Sequence, residues 1–359
     1  MITYHFIILV KNICVNIRML QIEQLYRFFY QELFKEFRFA HLPNGIPNDV
    51  ELMIYEPSVI NGNICLYDQE PLLPNITDKV INHILKYEKL QPNQLIIGTS
   101  EHSNYLKEKQ VQQLYYFFHG FAALDWFRGF HALNYTKNPI QNYKYDYQSF
   151  NRIVTGDRAY RKTFVDQLQA NDLLEHGAVS YGVTDDPVTE QRLVIDHEQL
   201  PGSASADIPD VDAFWHIVTE TVFYYDKLHL TEKIFKPIVS KQPFMLLAAP
   251  GNLEYLRSYG FKTFDGIIDE SYDKIEDNDA RIDAVVKQIK WYCDLSDSEK
   301  TEIQKKCESI VEHNFHHFYG KFKEIITDEL LDNTKKLFKD IGYDDSGVDY
   351  ATVRKLLTS

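Results

Sequence analysis

Residues 214–264 read FWHIVTETVFYYDKLHLTEKIFKPIVSKQPFMLLAAPGNLEYLRSYGFKTF, and this stretch constrains the fold more than any other. Two short apolar runs each end at a polar turn. The first, 215–218, runs into Thr219-Glu220-Thr221; the second, 244–247, runs into Ala248-Ala249-Pro250-Gly251-Asn252. Between them a helix-like segment opens with Thr231-Glu232-Lys233. Strand, turn, helix, strand, turn, helix is the pattern of a doubly wound α/β domain, whose ligands lie at the carboxyl ends of its strands. Glu220, Glu232 and Lys233 would converge there.

Lys233 runs against its local setting. A cation in the first turn of a helix opposes the macrodipole, which favours an anion there. The conflict disappears if Lys233 and the free N–H groups of the turn share an anionic ligand such as a diphosphate. A solvated lysine without a partner is the alternative, since the mismatch costs only about 0.3–1 kcal/mol. Glu232 has a plain alternative too, because Thr231 followed by an acid is ordinary helix capping.

The chain has 359 residues, enough for two domains of ordinary size. Its 44% hydrophobic and 25% charged residues describe a globular protein. The 24 Tyr and 23 Phe could supply stacking platforms for sugars or bases, although aromatic core packing is the commoner use of such residues. The net charge of −14, with no long basic run, disfavours nucleic acid as a partner. The four cysteines (Cys14, Cys65, Cys293, Cys307) show no metal spacing, which leaves free thiols in a reducing, cytoplasmic setting as the expectation. The apolar stretch 6–10 is too short to span a membrane and lacks a signal-cleavage pattern.

Along the first half, strand-like and helix-like segments alternate. The pattern predicts strands at 2–10, 49–55, 63–67, 94–98 and 113–118, and helices at 20–39 and 77–89. Such alternation implies a parallel sheet with helices on both faces. A polar, tyrosine-rich segment, 134–147, interrupts it and marks a domain boundary. A second alternating half opens with a strand at 151–155 and runs to about 264. Helices at 280–293, 298–312 and roughly 320–338 follow. The expected units are therefore 1–147, 148–312 and a helical segment 313–359 that either packs back on the first unit or forms a dimer surface. No GxG or Walker pattern occurs, which argues against a dinucleotide fold of the GxGxxG type and a P-loop NTPase.

Three segments together carry a resemblance. VTGDRAYRKTFVDQL (154–168), IVTET (217–221) and TEK (231–233) resemble, in order and spacing, elements of the α-1,3-fucosyltransferases. They are also similar to related phage and large-virus glycosyltransferases. The resemblance covers about half the chain. It implies a GT-B fold, an α/β architecture of two Rossmann-like doubly wound domains facing a cleft, with C-terminal helices. It implies that Arg161 contacts the donor phosphates, with Arg158 in the same segment as a further candidate. Glu220 stands at the acid of the family's FEN turn, although Thr221 replaces its asparagine. Glu232 would address the donor sugar or ribose, and Lys233 a phosphate. The donor would be a nucleotide-diphosphate sugar, GDP-linked if the sugar is fucose, with no cofactor and no metal.

The chemistry asks for these residue types. Departure of a diphosphate builds negative charge that fixed cations stabilise. Arginine gives bidentate phosphate contact and lysine a point charge. The string Asp277-Asn278-Asp279 follows no apolar strand and reads as surface rather than as a metal-binding motif. Inverting transfer also needs a base for the acceptor hydroxyl. By the resemblance that base is Glu70, which follows the strand 63–67 in CLYDQEP; Asp68, Glu101 and Asp125 rank behind it. For each of these, a turn or capping carboxylate is the alternative. His119, just past a strand, is either a ligand contact or a structural histidine. Two rival functions stay open: a phage-type DNA-base glycosyltransferase, and a non-catalytic nucleotide- or glycan-binding module on the same scaffold.

Overall fold

The computed structural model describes residues 21–34, 38–41, 54–55, 63–67, 71–72, 78, 81–82, 85–86, 89–128, 143–151, 153–182, 192–194 and 211–359. The first half contains α1 (Gln21–Phe28), β1 (Arg38–His41), β2 (Ile54–Tyr55), β3 (Asn63–Tyr67), β4 (Leu95–Thr99), a short α2 (Tyr105–Glu108), β5 (Gln112–Tyr115) and α3 (Phe118–Trp126). Its sheet has the order β2-β1-β3-β4-β5, parallel except for the β1–β2 pair. Every residue of β4 is buried, as a strand covered on both faces requires.

Two expectations in this half are corrected. The helix expected over 20–39 stops early: α1 passes into a π-helical turn, Phe29–Leu33, and Arg38 and Phe39 pair instead with Asn63 and Ile64. Sheet pairing overrides the helical pattern there. The strand expected to reach Phe118 ends at Tyr115, and Phe118 opens a helix that is apolar almost all round and correspondingly buried. The expected strand at 2–10 lies outside the described residues.

The second half contains β6 (Tyr145–Asn151), α4 (Tyr160–Ala170), β7 (Gly177–Gly182), β8 (Arg192–Val194), β9 (Ala213–Thr219), α5 (Glu232–Val239), β10 (Phe244–Leu247) and α6 (Asn252–Ser258). Four terminal helices follow: α7 (Asn278–Cys293), α8 (Asp297–Tyr319), α9 (Phe322–Ile341) and α10 (Tyr350–Thr358). The sheet order is β10-β9-β6-β7-β8, parallel except for the edge strand β8. From β6 the chain winds first towards β7 and then, through β9, the other way. The winding reverses between β6 and β9, the place where doubly wound sheets open a crevice at their carboxyl ends.

The strand expected at 151–155 lies earlier, at Tyr145–Asn151, and begins inside the polar segment expected to mark the domain boundary. Its polar residues are buried and paired: Gln148 Nε2 donates to Gln242 Oε1 at 2.8 Å, and Thr219 Oγ1 to Asn151 Oδ1 at 2.9 Å. Asp277, in the string read as surface, caps α7 by accepting from Ala280 N at 2.8 Å.

The two halves meet closely. His102 and Leu228 exchange backbone hydrogen bonds of 3.0 and 3.2 Å. From α9, Asn333 Nδ2 donates to the Tyr115 carbonyl at 3.1 Å, and Tyr319 at the end of α8 donates to the Phe127 carbonyl at 2.8 Å. Helix α10 packs on α1, and α5 on α3. One hydrophobic core runs through both halves, joining Leu114, Phe117 and Phe121 to Ile234, Phe235, Phe318 and Phe322. Among the described residues no helix is long and apolar enough to cross a membrane.

Candidate functional site

The first turn of α5 lies beside the carboxyl end of β9, because β9 and α5 are consecutive elements of one winding unit. Thr231 caps the helix, its hydroxyl accepting from Lys233 N at 3.4 Å. Glu220 follows β9 and is fully buried. It accepts from Thr231 N at 3.1 Å, from Thr231 Oγ1 at 2.6 Å and from Thr221 N at 3.2 Å. This carboxylate therefore ties the turn after β9 to the start of α5. Burial raises its pKa, and Lys233 pulls the other way.

Lys233 is 8% exposed, so it is not a solvated lysine. Its Nζ donates to Glu232 Oε1 at 2.9 Å, Thr231 Oγ1 at 3.2 Å and Thr221 Oγ1 at 3.3 Å. Glu232 stands between Lys233 and His119, with Oε2 3.6 Å from His119 Nδ1. Burial alone would push the Glu232 carboxyl up, but Lys233 and His119 beside it hold it down at about 2. His119 belongs to α3, so residues from both halves of the chain meet here.

His229 completes the cluster, and sequence reasoning missed it. It is 1% exposed; its Nδ1 faces the Ser100 carbonyl at 3.1 Å, which makes that nitrogen the donor. Nε2, the other nitrogen, has no hydrogen-bond partner among the described residues. Burial, together with the His119 ring 5.2 Å away, lowers its pKa to about 3, so the ring is neutral and Nε2 carries a lone pair. Asn252 fixes this segment by accepting from His229 N at 3.0 Å and donating to the Lys227 carbonyl at 3.1 Å. The available signal was the alternation Lys227, His229, Thr231 against Leu228 and Leu230, which turns three polar side chains to one side of an extended segment.

Two other sequence candidates occupy structural positions. The resemblance assigns Arg161 to a donor phosphate, but its guanidinium is buried and donates to the carbonyls of Ile153 (3.1 Å), Thr219 (2.9 Å) and Glu220 (3.2 Å). It braces the turn that carries Glu220. Glu101, a candidate base, is fully buried and occupied. It accepts from Leu72 N and from Ser103 Oγ, each at 2.6 Å, and from Lys227 Nζ at 3.0 Å. That ammonium also donates to the Leu72 carbonyl.

Arg158 is half-buried and closes the 3-10 turn Gly156–Arg158. Asp125 is buried on α3, nearly two turns beyond His119. Glu70 and Asp68 lie outside the described residues.

Two carboxylates, one ammonium and two imidazoles thus share the carboxyl edge of the second sheet beside its switch point. Such a set offers acceptors to hydroxyl groups and a cation to a phosphate. No protein-family model matches the chain, and no curated protein does. One solved structure that resembles it is that of the DNA-modifying enzyme β-glucosyltransferase, in the presence and absence of uridine diphosphoglucose. The identity is 7% and the TM-score 0.34, over 79% of this chain and 75% of that one. A superposition that loose assigns neither a substrate nor a site residue.

Proposed function

We propose that this protein is a GT-B-type glycosyltransferase that moves a sugar from a nucleotide-diphosphate donor to a hydroxyl acceptor with inversion and without a metal. The second half, from β6 onward, would bind the donor, and the first half the acceptor. Glu232 would accept hydrogen bonds from the donor sugar or ribose. Lys233 and the N-terminal N–H groups of α5 would face the diphosphate, where charge grows as the leaving group departs. Glu220 and Arg161 would act as positioning residues for that turn. Glu70 is our choice of base, with Asp68 second.

One observation carries this reading. Glu232 and Lys233, at the carboxyl edge of a doubly wound sheet, are joined by His119 from the opposite half, so elements of both halves share one polar cluster. The resemblance to fucosyltransferases favours fucose among the sugars.

The test is a thermal-shift panel of GDP, UDP, CMP and dTDP, with and without EDTA. A nucleotide that binds only the folded state at 100 Kd adds about 2.7 kcal/mol. We expect one nucleotide to raise Tm by the same increment in both buffers, and GDP would select fucose or mannose donors for turnover assays. No increment from any nucleotide would remove the donor site. Binding without turnover across sugar donors and acceptors, duplex DNA included, would leave a non-catalytic module.

A further inference from the structure

The second sheet carries a different set of side chains at its opposite edge. Asp146 is the second residue of β6, and His176 ends the 3-10 turn Leu174–His176 directly before β7. Cys293 is the last residue of α7. Strands β6, β7 and β9 are parallel, so Asp146 and His176 sit at the amino edge, whereas Glu220 and Lys233 sit at the carboxyl edge. One ligand atom from each of Asp146, His176 and Cys293 lies within 4.8 Å of the other two. His176 Nδ1 is 3.0 Å from Asp146 Oδ2, and Cys293 is buried. Lys300, from α8, donates to the other carboxylate oxygen, Asp146 Oδ1, at 2.7 Å.

We propose that Asp146, His176 and Cys293 form a binding site for a zinc-class divalent cation, with water as the fourth ligand. The donor types fit: imidazole, thiolate and carboxylate are the ligands zinc takes in tetrahedral sites. Ligands about 2.0–2.3 Å from zinc stand roughly 3.3–3.8 Å from one another. The three groups reach that spacing by small rotamer changes, His176 and Asp146 being already closer.

The charges also close. As the Sγ–metal bond forms, the thiol proton leaves to solvent; thiolate and carboxylate then balance the dication, and the imidazole stays neutral. Asp146 would ligate through Oδ2 and keep Lys300 on Oδ1, the outer hydrogen bond that orients a metal-bound carboxylate. The metal would pin β6, the turn before β7 and the end of α7 together. It would be structural, standing at the far edge of the sheet from the proposed donor site.

The experiment uses the full chain, stripped with EDTA and then titrated with Zn2+ by calorimetry and with Co2+ by absorbance. We expect one ion per chain, a thiolate-to-cobalt charge-transfer band that vanishes in Cys293→Ser, and zinc binding weakened at least about tenfold in His176→Ala. The His176 side chain is 45% exposed, so that variant tests the ligand without emptying the core. Absence of stoichiometric binding, a cobalt spectrum without the thiolate band, or unchanged zinc affinity in His176→Ala would each overturn the site. The outcome is separable from the proposed activity: EDTA should lower the baseline Tm while leaving any nucleotide increment intact.

Discussion

Lys233 sits where a helix disfavours a cation, and its surroundings supply the compensation: Glu232 in direct contact and Glu220 one hydroxyl away. Replacing it with Met should leave the buried Glu232 and Glu220 short of a counter-charge. The expected loss is about 3 kcal/mol of stability, together with the nucleotide-induced rise in Tm. A Lys233→Met protein with wild-type urea midpoint and nucleotide response would dismiss both roles. Glu329 offers a second test at this scale. It accepts from Tyr259 Oη at 2.9 Å, and burial raises its carboxyl from 4.5 to about 7. The folded state therefore holds a proton that the unfolded state has released across that window. Its contribution to stability is present below pH 4.5 and declines as pH rises through about 7. Urea unfolding in steps from pH 4 to 8 should show Glu329→Gln without that part of the slope; an identical slope in the variant would refute the assignment. Residue types at the candidate site were legible in the sequence, their occupancy much less so. Arg161 and Glu101 have the charges that donor binding and base chemistry need, yet carbonyls fill one and an ammonium the other. Both fillings come from distant segments. His229 went unnoticed because nothing in a lone histidine between two leucines announces that Ser100 and His119 will enclose it.

At the scale of elements, apolar runs announced themselves and polar strands did not. β9, α5 and β10 appear within a residue or two of where hydrophobic pattern and capping place them. β6 was obscured because it carries Gln148, Ser149 and Asn151, whose burial depends on partners: Gln148 donates to Gln242, Ser149 accepts from Asn151 Nδ2, and Asn151 Oδ1 accepts from Thr219. The short, amphipathic α10 gives a weak pattern, and its reason to fold is the surface of α1 and α9 that it covers. The β6–β7 pair yields a prediction. Gly177 pairs with Tyr147, and a Cβ on Gly177 would fall 2.3 Å from the Tyr147 Cζ. That ring cannot swing aside, since it is 1% exposed and its hydroxyl donates to the Leu173 carbonyl at 2.9 Å. Gly177→Ala should therefore destabilise by about 1–3 kcal/mol. In a Tyr147→Ala background the same substitution should cost almost nothing. Equal penalties in the two backgrounds, measured by chemical denaturation, would mean that the ring is not the obstacle.

For the whole molecule, the alternation of elements indicates two α/β halves, but not how firmly they are joined. The structure joins them in three ways. A shared aromatic core runs from Phe117 of the first half to Phe235 and Phe322 of the second. A buried ion pair links Glu101 to Lys227, with the Lys227 ammonium also on the Leu72 carbonyl. Terminal helices α9 and α10 lie against β5, α3 and α1 of the first half. A hydrophobic core shared across the join opposes the relative motion expected of domains with small, polar interfaces. Unfolding should accordingly follow one cooperative transition, although the chain has 359 residues and two sheets. Lys227→Met leaves Glu101 as an uncompensated buried carboxylate and should lower the stability of the whole protein by about 3 kcal/mol. If the halves act as one unit, that loss moves the single calorimetric peak to lower temperature without dividing it. A wild-type scan with two resolved peaks, or a Lys227→Met scan in which only one of two peaks shifts, would show two separately stable halves. The cluster of His119, Glu232 and Lys233 would then be a contact that opens and closes instead of part of a continuous core.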